Sequence, residues 1–368
     1  MGEAPGRGPR IDALRVHAYT VPTAGPEEDG TLLWDSTTAV VVEVEGGGET
    51  GLGYGYADRA AAALVRERLT DAVVGRDALA PGDAWHAMVE RVRNLGRPGV
   101  GTMAISAVDT ALWDLKAKLL GLPLAVLLGM VRDDVAAYGS GGFTNYDDET
   151  LRRQIEGWLE LGLTAAKLKV GRDDARDRER VAQARAALGP DRVLMVDANG
   201  ACTVKRALAQ AQAFAEHGVS WFEEPVSSDD LDGLRRVSRE GPAGMEIAAG
   251  EYGHDAIYFR RMLEAGAVDV LQPDATRCGG VTGFLQADAL AQAFGRALSA
   301  HTAPSLHAHL GCACRQVRHV EYFHDHARLE PMLFDGALRP AAGRLAPDLG
   351  RPGLGLELKR ADAERFAA

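Results

Sequence analysis

The chain has 368 residues, 46% of them hydrophobic, and a formal net charge of −11. Its length accommodates a barrel of about 250 residues and a further domain of about 100, and its acidic balance speaks against nucleic acid or an anionic membrane as the main partner. Cys202, Cys278, Cys312 and Cys314 lack zinc spacing and are too few for a disulfide framework, and no apolar segment follows MGEAPGRGPR, so a reducing cytoplasm is the expected location.

Residues 1–9 are rich in Gly, Pro and charge and are expected to be disordered. The first domain covers residues 10–130. IDALRVHAYTVP and TTAVVVEVEG are predicted strands, because β-branched residues dominate them and turn residues bound them. Between them PTAGPEEDGTLLWDS reads as a loop carrying Leu32, Leu33 and Trp34, either a lid over a substrate or a satellite core. TGLGYGYAD is not a dinucleotide fingerprint, since its spacing is GxGxG and no βαβ unit surrounds it. Tyr54 and Tyr56 in it are candidate ligand contacts, with a packed strand as the plainer alternative. From Ala57 to Leu128 the pattern is helical, with its strongest period in ISAVDTALWDLKAKLLGLP. Strands followed by helices make this domain α+β.

Residues 131–330 alternate. VAAYGSG, TAAKLKV, RVLMVDA, VSWFEEP, EIAAGE, VDVLQPD, RALSAH and VRHVEYF are eight strand candidates with helical segments between them. The charged residues that close them recur at intervals of roughly one strand plus one helix, which predicts a TIM-type βα barrel. Residues 331–368 are rich in Gly and Pro, too irregular for an eighth helix, and are expected to return to the first domain.

In such a barrel every strand ends at one rim, so the residues that close them converge on one pocket. Lys167 and Lys169 lie two apart and share a face. Crowded together, the two ammonium groups are expected to lower each other's pKa, which makes one a base near neutrality. Asp197, Glu223 and Glu251 bring three carboxylates to the rim, an arrangement that needs a cation, and oxygen-only ligation suits Mg²⁺. Asn199 sits beside Asp197 as an amide donor. Glu223 and Glu224 are adjacent and point opposite ways, so only one enters the pocket. Asp274 and His301 end successive strands and form a candidate dyad in which the carboxylate orients the imidazole and raises its pKa. His307 and His309 are placed on a helix as structural or supporting groups rather than a zinc pair. In HVEYFHDHARLE, which adds His319, His324 and His326, Glu321 alone ends a strand.

KLK, DAN, EEP, GE, PDATRCGG, the segment from His301 to Glu321, and WDLKAKLLGLPLAVLLG occur in this order. The ordered set resembles the mandelate racemase subgroup of the enolase superfamily over essentially the whole chain. The resemblance implies a modified TIM barrel, (β/α)7β, with an N-terminal α+β capping domain, Mg²⁺ on Asp197, Glu223 and Glu251, and assembly into dimers or octamers. It also implies that Lys169 is the base on one face of the substrate with Lys167 beside it, that His301 with Asp274 serves the other face, and that Glu321 donates a hydrogen bond to the substrate carboxylate. Arg277 takes a place often held by lysine. Asp274 stands where the muconate-lactonizing and dipeptide-epimerase branch carries a lysine, which argues against that branch.

The implied substrate is a small carboxylate, and the implied first step is removal of its α-proton to give an enediolate. Loss of a 3-hydroxyl then makes the protein a dehydratase of an aldonate or aldarate. Return of a proton to the opposite face makes it a racemase or epimerase of a 2-hydroxy acid. Asn199, Arg277, Tyr54, Tyr56 and Asn145 are donors suited to a hydroxylated substrate, whereas Trp34 and Leu32 suit an aryl or alkyl one. A non-catalytic sugar-acid-binding barrel is the reading from another class. It predicts a missing base or ligand, and none is missing.

Overall fold

The computed structural model describes residues 8–368. Residues 1–7 of the segment expected to be disordered lie outside that range. Gly8 and Pro9 are tied down, since Gly8 N donates to Asp77 and Pro9 O accepts from Ala78 N at 2.9 Å.

The capping domain is built on an antiparallel sheet of β1 (Ile11–Glu28), β2 (Leu33–Gly46) and β3 (Glu49–Tyr56) in that order. Alternation along β2 serves two cores at once. Val40, Val42 and Val44 face the cap's own helices, while Ala39 and Val41 join the main core against the barrel. On β3 the helix-facing positions are Gly51 and Gly53. A Cβ at Gly53 would come far closer to Ala107 O than van der Waals contact allows, so the absence of side chains lets helix Val100–Leu119 lie directly on the sheet.

The segment PTAGPEEDGTLLWDS is not a loop, as expected above, but the end of a long hairpin: β1 runs to Glu28, β2 starts at Leu33, and a register shift between Pro22 and Glu27 absorbs the irregularity. Its tip leans on the barrel. Gly30 is pressed so close to Ala198 O that no side chain fits there, Arg172 Nε donates to Asp29 O at 2.9 Å, and Thr144 N donates to Glu28 O at 2.7 Å.

The barrel has eight parallel strands: β4 (Val135–Gly141), β5 (Ala165–Lys169), β6 (Val193–Asp197), β7 (Val219–Glu223), β8 (Glu246–Ala249), β9 (Val270–Leu271), β10 (Ala297–Ala300) and β11 (Val317–Phe323). Each pairs with the next, and β11 closes on β4 with Glu321 opposite Tyr138. Tyr138, Met195, Trp221, Ala248 and Val270 plug the interior one layer below the rim. The cap docks through helix Val100–Leu119, whose Asp109 accepts from Thr282 N at 2.9 Å and Thr282 Oγ1 at 2.7 Å at the start of helix Gly280–Ala293.

One correction concerns the tail. A helix, His324–Leu333, follows β11, with Pro331 inside it, so helical structure continues past the point where the sequence was read as irregular. Beyond it Arg344–Leu345 pairs antiparallel with β4, and the last residues reach the cap, where Arg360 Nη2 pairs with both oxygens of Glu43 at 2.8 Å. Among the described residues no helix is long and apolar enough to cross a membrane, and all four cysteines are buried and free.

Gly53→Ala is expected to lose about 1–3 kcal/mol in denaturant unfolding, because the helix must lift off the sheet. Gly157→Ala, at an open position on helix Asp148–Glu160, is the control and is expected to be neutral or slightly stabilising. Equal stability of the two variants would refute the close-packing account.

Candidate active site

The strand ends converge as barrel geometry requires. Carboxylate oxygens of Asp197, Glu223 and Glu251 lie within 4.8 Å of one another, all three residues buried. Lys167 has no exposed side-chain surface and its Nζ lies 2.6 Å from Glu223 Oε1 and 2.8 Å from Glu321 Oε1. Lys169 Nζ is 2.6 Å from Asp197 Oδ2. Across the mouth, His301 Nδ1 is 2.8 Å from Asp274 Oδ2, while its Nε2 lies 3.2 Å from Glu251 Oε2 and 3.8 Å from Glu321 Oε2. Each base candidate therefore abuts a different member of the carboxylate triad. Backbone strain gathers at the same rim: Asn199, Glu224, Thr302 and Ala303, all just past strand ends, have positive φ without being glycine.

The residues present suit a divalent cation. Glu251 Oε2 is buried yet accepts no hydrogen bond. Asp197, Glu223, Glu224, Glu251, Asp274 and Glu321 are six buried carboxylates, and they face four cations, Lys167, Lys169, Arg277 and a protonated His301. The surplus of two negative charges appears as carboxyls that resist ionisation. Burial pushes Glu223 up to about 8 against the pull of Lys167, and burial with Glu251, Asp197 and Glu223 drives Glu224 well above the carboxylate range.

Two family models match the chain. "Mandelate racemase / muconate lactonizing enzyme, N-terminal domain" covers residues 17–129, and "Enolase C-terminal domain-like" covers residues 150–363. The chain belongs to the mandelate racemase subgroup of the enolase superfamily. Among its relatives, the 3,6-anhydro-alpha-L-galactonate cycloisomerase of Streptomyces coelicolor is 36% identical over 97% of this chain and 98% of its own. A mandelate racemase/muconate lactonizing enzyme-like protein from Rubrobacter xylanophilus has a crystal structure that superposes with a TM-score of 0.96 at 53% identity, covering 98% of this chain and 100% of that one. The L-talarate/galactarate dehydratase of Salmonella typhimurium, solved with Mg and L-lyxarohydroxamate, superposes with a TM-score of 0.92 at 30% identity, covering 100% and 95%. The protein is thus an enzyme of the lyase type, and magnesium is its cofactor.

Several expectations for this enolase-superfamily site change on contact with the structure. The two lysines do not lower each other into the neutral range. Burial and Lys167 push Lys169 down, but Asp197 outweighs them and its pKa is raised; Lys167 is held higher still by Glu223 and Glu321. Glu321 is not a donor here. Burial would raise it, yet Lys167 and His301 hold it ionised, and it accepts from Thr302 N at 3.1 Å. Glu223 and Glu224 do not separate, because the φ of +37° at Glu224 breaks the pleat and both carboxyls enter one cluster.

Arg277, Asn199 and Trp34 line the cavity, but Tyr54 does not. Tyr54 is fully buried and donates to Glu330 Oε1 at 2.7 Å, locking the cap to the barrel's last helix. Asn145 Nδ2 donates to Pro26 O and steadies the hairpin. His307 and His309 are committed to backbone. His307 Nδ1 donates to Thr302 O at 2.7 Å and its Nε2 accepts from Ala275 N, whereas His309 accepts from Ala125 N and donates to Leu354 O. Tyr56 and His326, stacked with ring centroids 3.4 Å apart, line the cavity as well. His326 sits on the helix after β11, where a strand-end rule could not find it.

Burial raises Glu330 to about 7 against its bonds from Ser305 and Tyr54. A carboxyl raised on folding contributes fully below its unfolded pKa and loses that contribution as pH climbs toward its folded value. Glu330→Gln removes the effect, so the variant should gain on the order of 3 kcal/mol relative to wild type between pH 4.5 and 8 in urea unfolding. A wild-type-to-variant gap that does not change with pH would contradict it.

Proposed function

We propose that the protein is a magnesium-dependent acid-sugar lyase. It removes the proton α to a carboxylate and then expels an oxygen from the β-carbon, so that tautomerisation yields a 2-keto-3-deoxy acid. The observation that supports this best is the placement of Lys169 and His301 on opposite members of the triad, at Asp197 and Glu251, where both open on one cavity of about 390 Å³.

Asp197, Glu223 and Glu251 would hold the cation. Bound there, magnesium supplies positive charge to a substrate carboxylate and so lowers the cost of forming an enediolate. The Lys167 ammonium, with no exposed surface, adds a charge already fixed in place, so it needs no reorganisation. Lys169 takes the α-proton, and for this it must be neutral; its charged state rests chiefly on the negative charge of Asp197, which accepts its hydrogen bond and whose pull would weaken when that carboxylate serves as a ligand. Burial lowers His301, but Glu251, Asp274 and Glu321 outweigh it and raise its pKa above that of an ordinary histidine, which favours the imidazolium. Its Nδ1–H donates to Asp274, which leaves Nε2–H aimed at the cavity to protonate the departing oxygen. Asn199, lining the cavity with an unpartnered Oδ1, is suited to a substrate hydroxyl.

If the β-oxygen belongs to a ring rather than a free hydroxyl, the same residues open the ring without loss of water. The name of the Streptomyces relative favours this second reading, in which the enzyme is a cycloisomerase.

An acid-sugar collection incubated with protein and Mg²⁺ in D₂O should yield a keto acid from at least one member. Inversion with α-deuterium incorporation and no keto acid would make the protein a racemase or epimerase instead. Lys169→Ala and His301→Ala should each lower keto-acid formation by about 10²–10⁴-fold. Chelation of the metal should abolish activity in the wild type, and added Mg²⁺ should restore it.

A further inference from the structure

The cavity extends in one direction only. Beneath the reacting groups Lys167, Glu223 and Trp221 are at most 1% exposed, so a substrate held between Lys169 and His301 must run its remaining carbons toward the cap. There the wall consists of Leu32, Trp34, Ser36 and Thr38 from the hairpin, Tyr56 from β3, and His326.

That wall carries no cation. Among the described residues lining the cavity, Lys169, Arg277 and His301 are the cationic side chains, and all three sit at the reacting end. Arg277 places Nη1 3.5 Å from Glu251 Oε1 and Nε 3.8 Å from Asp274 Oδ2, level with the triad. His326 stays neutral, since burial lowers its imidazole to about 3. The wall instead carries acids. Asp29 and Asp58 line it, and behind it Glu27 accepts from Trp34 Nε1 at 3.0 Å and Asp325 accepts from Thr37 Oγ1. The arginines behind the wall already have partners: Arg172 donates to Asp29 O, and Arg328 pairs with Asp325 at 2.6 Å and donates to Pro22 O. On the wall itself the buried polar atoms left without partners are the neutral Tyr56 hydroxyl and His326 Nδ1; Glu27 Oε1 and Arg328 Nε, also unpartnered, do not line the cavity.

We propose that the enzyme takes monocarboxylic acid sugars, open-chain or anhydro aldonates, and rejects dicarboxylic aldarates. A second carboxylate at the far end would be desolvated beside Asp29 and Asp58 with no cation to pair it. Distal hydroxyls or a ring ether meet hydroxyl groups, a neutral imidazole and the Trp34 face. The proposal rests on the acid-sugar reading above and narrows its substrate class.

Wild-type protein with Mg²⁺ is assayed in D₂O against complete sets of C5 and C6 aldonates, with the 3,6-anhydro C6 aldonates included among them, and aldarates. Members are compared in pairs of equal configuration, such as gluconate with glucarate and galactonate with galactarate, reading keto acid and α-deuterium. The expected result is an aldonate with kcat/KM at least tenfold above its aldarate. An aldarate processed as well as its aldonate or better overturns the proposal and leaves the acid-sugar reading standing. Silence on both sets removes that reading, and the proposal with it. In a second arm Thr38→Lys places a cation on the wall and should narrow the aldonate-to-aldarate ratio at least tenfold. A variant with wild-type circular dichroism and an unchanged ratio would overturn the assignment of the cap wall as the discriminating element.

Discussion

The ammonium of Lys167 has no exposed surface and is held between Glu223 on β7 and Glu321 on β11, two strands that its own strand, β5, precedes in the sequence and separates around the closed barrel. An ion in this position costs several kcal/mol unless its partners are placed well. Trp221 Nε1 supports Glu223 from below at 3.0 Å, and Gln272 Nε2 donates to Tyr138 in the layer beneath. The relative registers of three non-adjacent strands are thereby tied to one charge. A slip of one residue in any of them would turn a charged side chain toward the helices.

The same constraint explains why the site is built from an excess of carboxylates. Lysines buried at this depth need acids beside them, and acids gathered at this density need more positive charge than the lysines supply. The balance closes with a divalent cation. It also closes without one, through protons on Glu223 and Glu224, which burial and the neighbouring carboxylates raise. The strained φ values at Asn199, Glu224, Thr302 and Ala303 belong to this economy, because they aim short strand ends at one point rather than along eight diverging directions.

The barrel was legible because its period is coarse and its signals repeat: seven of the eight apolar runs end in a charged residue, and all seven point to one rim. Charges at strand ends were therefore located from the sequence, and the structure brings Lys167, Lys169, Asp197, Glu223, Glu251, Asp274, His301 and Glu321 together. Their ionisation was not legible, since it depends on which strands face each other across the barrel. The KxK spacing showed the lysine that opposes Lys169 and hid the aspartate that outweighs it. Glu224 escaped because pleat alternation holds only while the strand continues. Tyr54 and Tyr56 look alike in TGLGYGY and both face the barrel, but Tyr54 meets Glu330 under the last helix whereas Tyr56 reaches the cavity two residues closer to the rim.

The cap divides its labour between backbone and side chains. The hairpin is fastened largely through main-chain atoms: the carbonyls of Pro26, Glu28 and Asp29 accept from Asn145, Thr144 and Arg172, and Gly30 contributes the absence of a side chain against Ala198. The side chains of Leu32, Ser36 and Thr38 take no part in that fastening, although they form the cavity wall with Trp34, which also meets Phe143 of the barrel edge to face. Substitutions of Leu32, Ser36 or Thr38 can change what the far end of a substrate meets without loosening that attachment. On the proposed reading chemistry and selectivity thus sit on separate elements, the first fixed by buried charge in the barrel and the second carried by a hairpin fastened mainly at its tip and at Trp34 and Thr37.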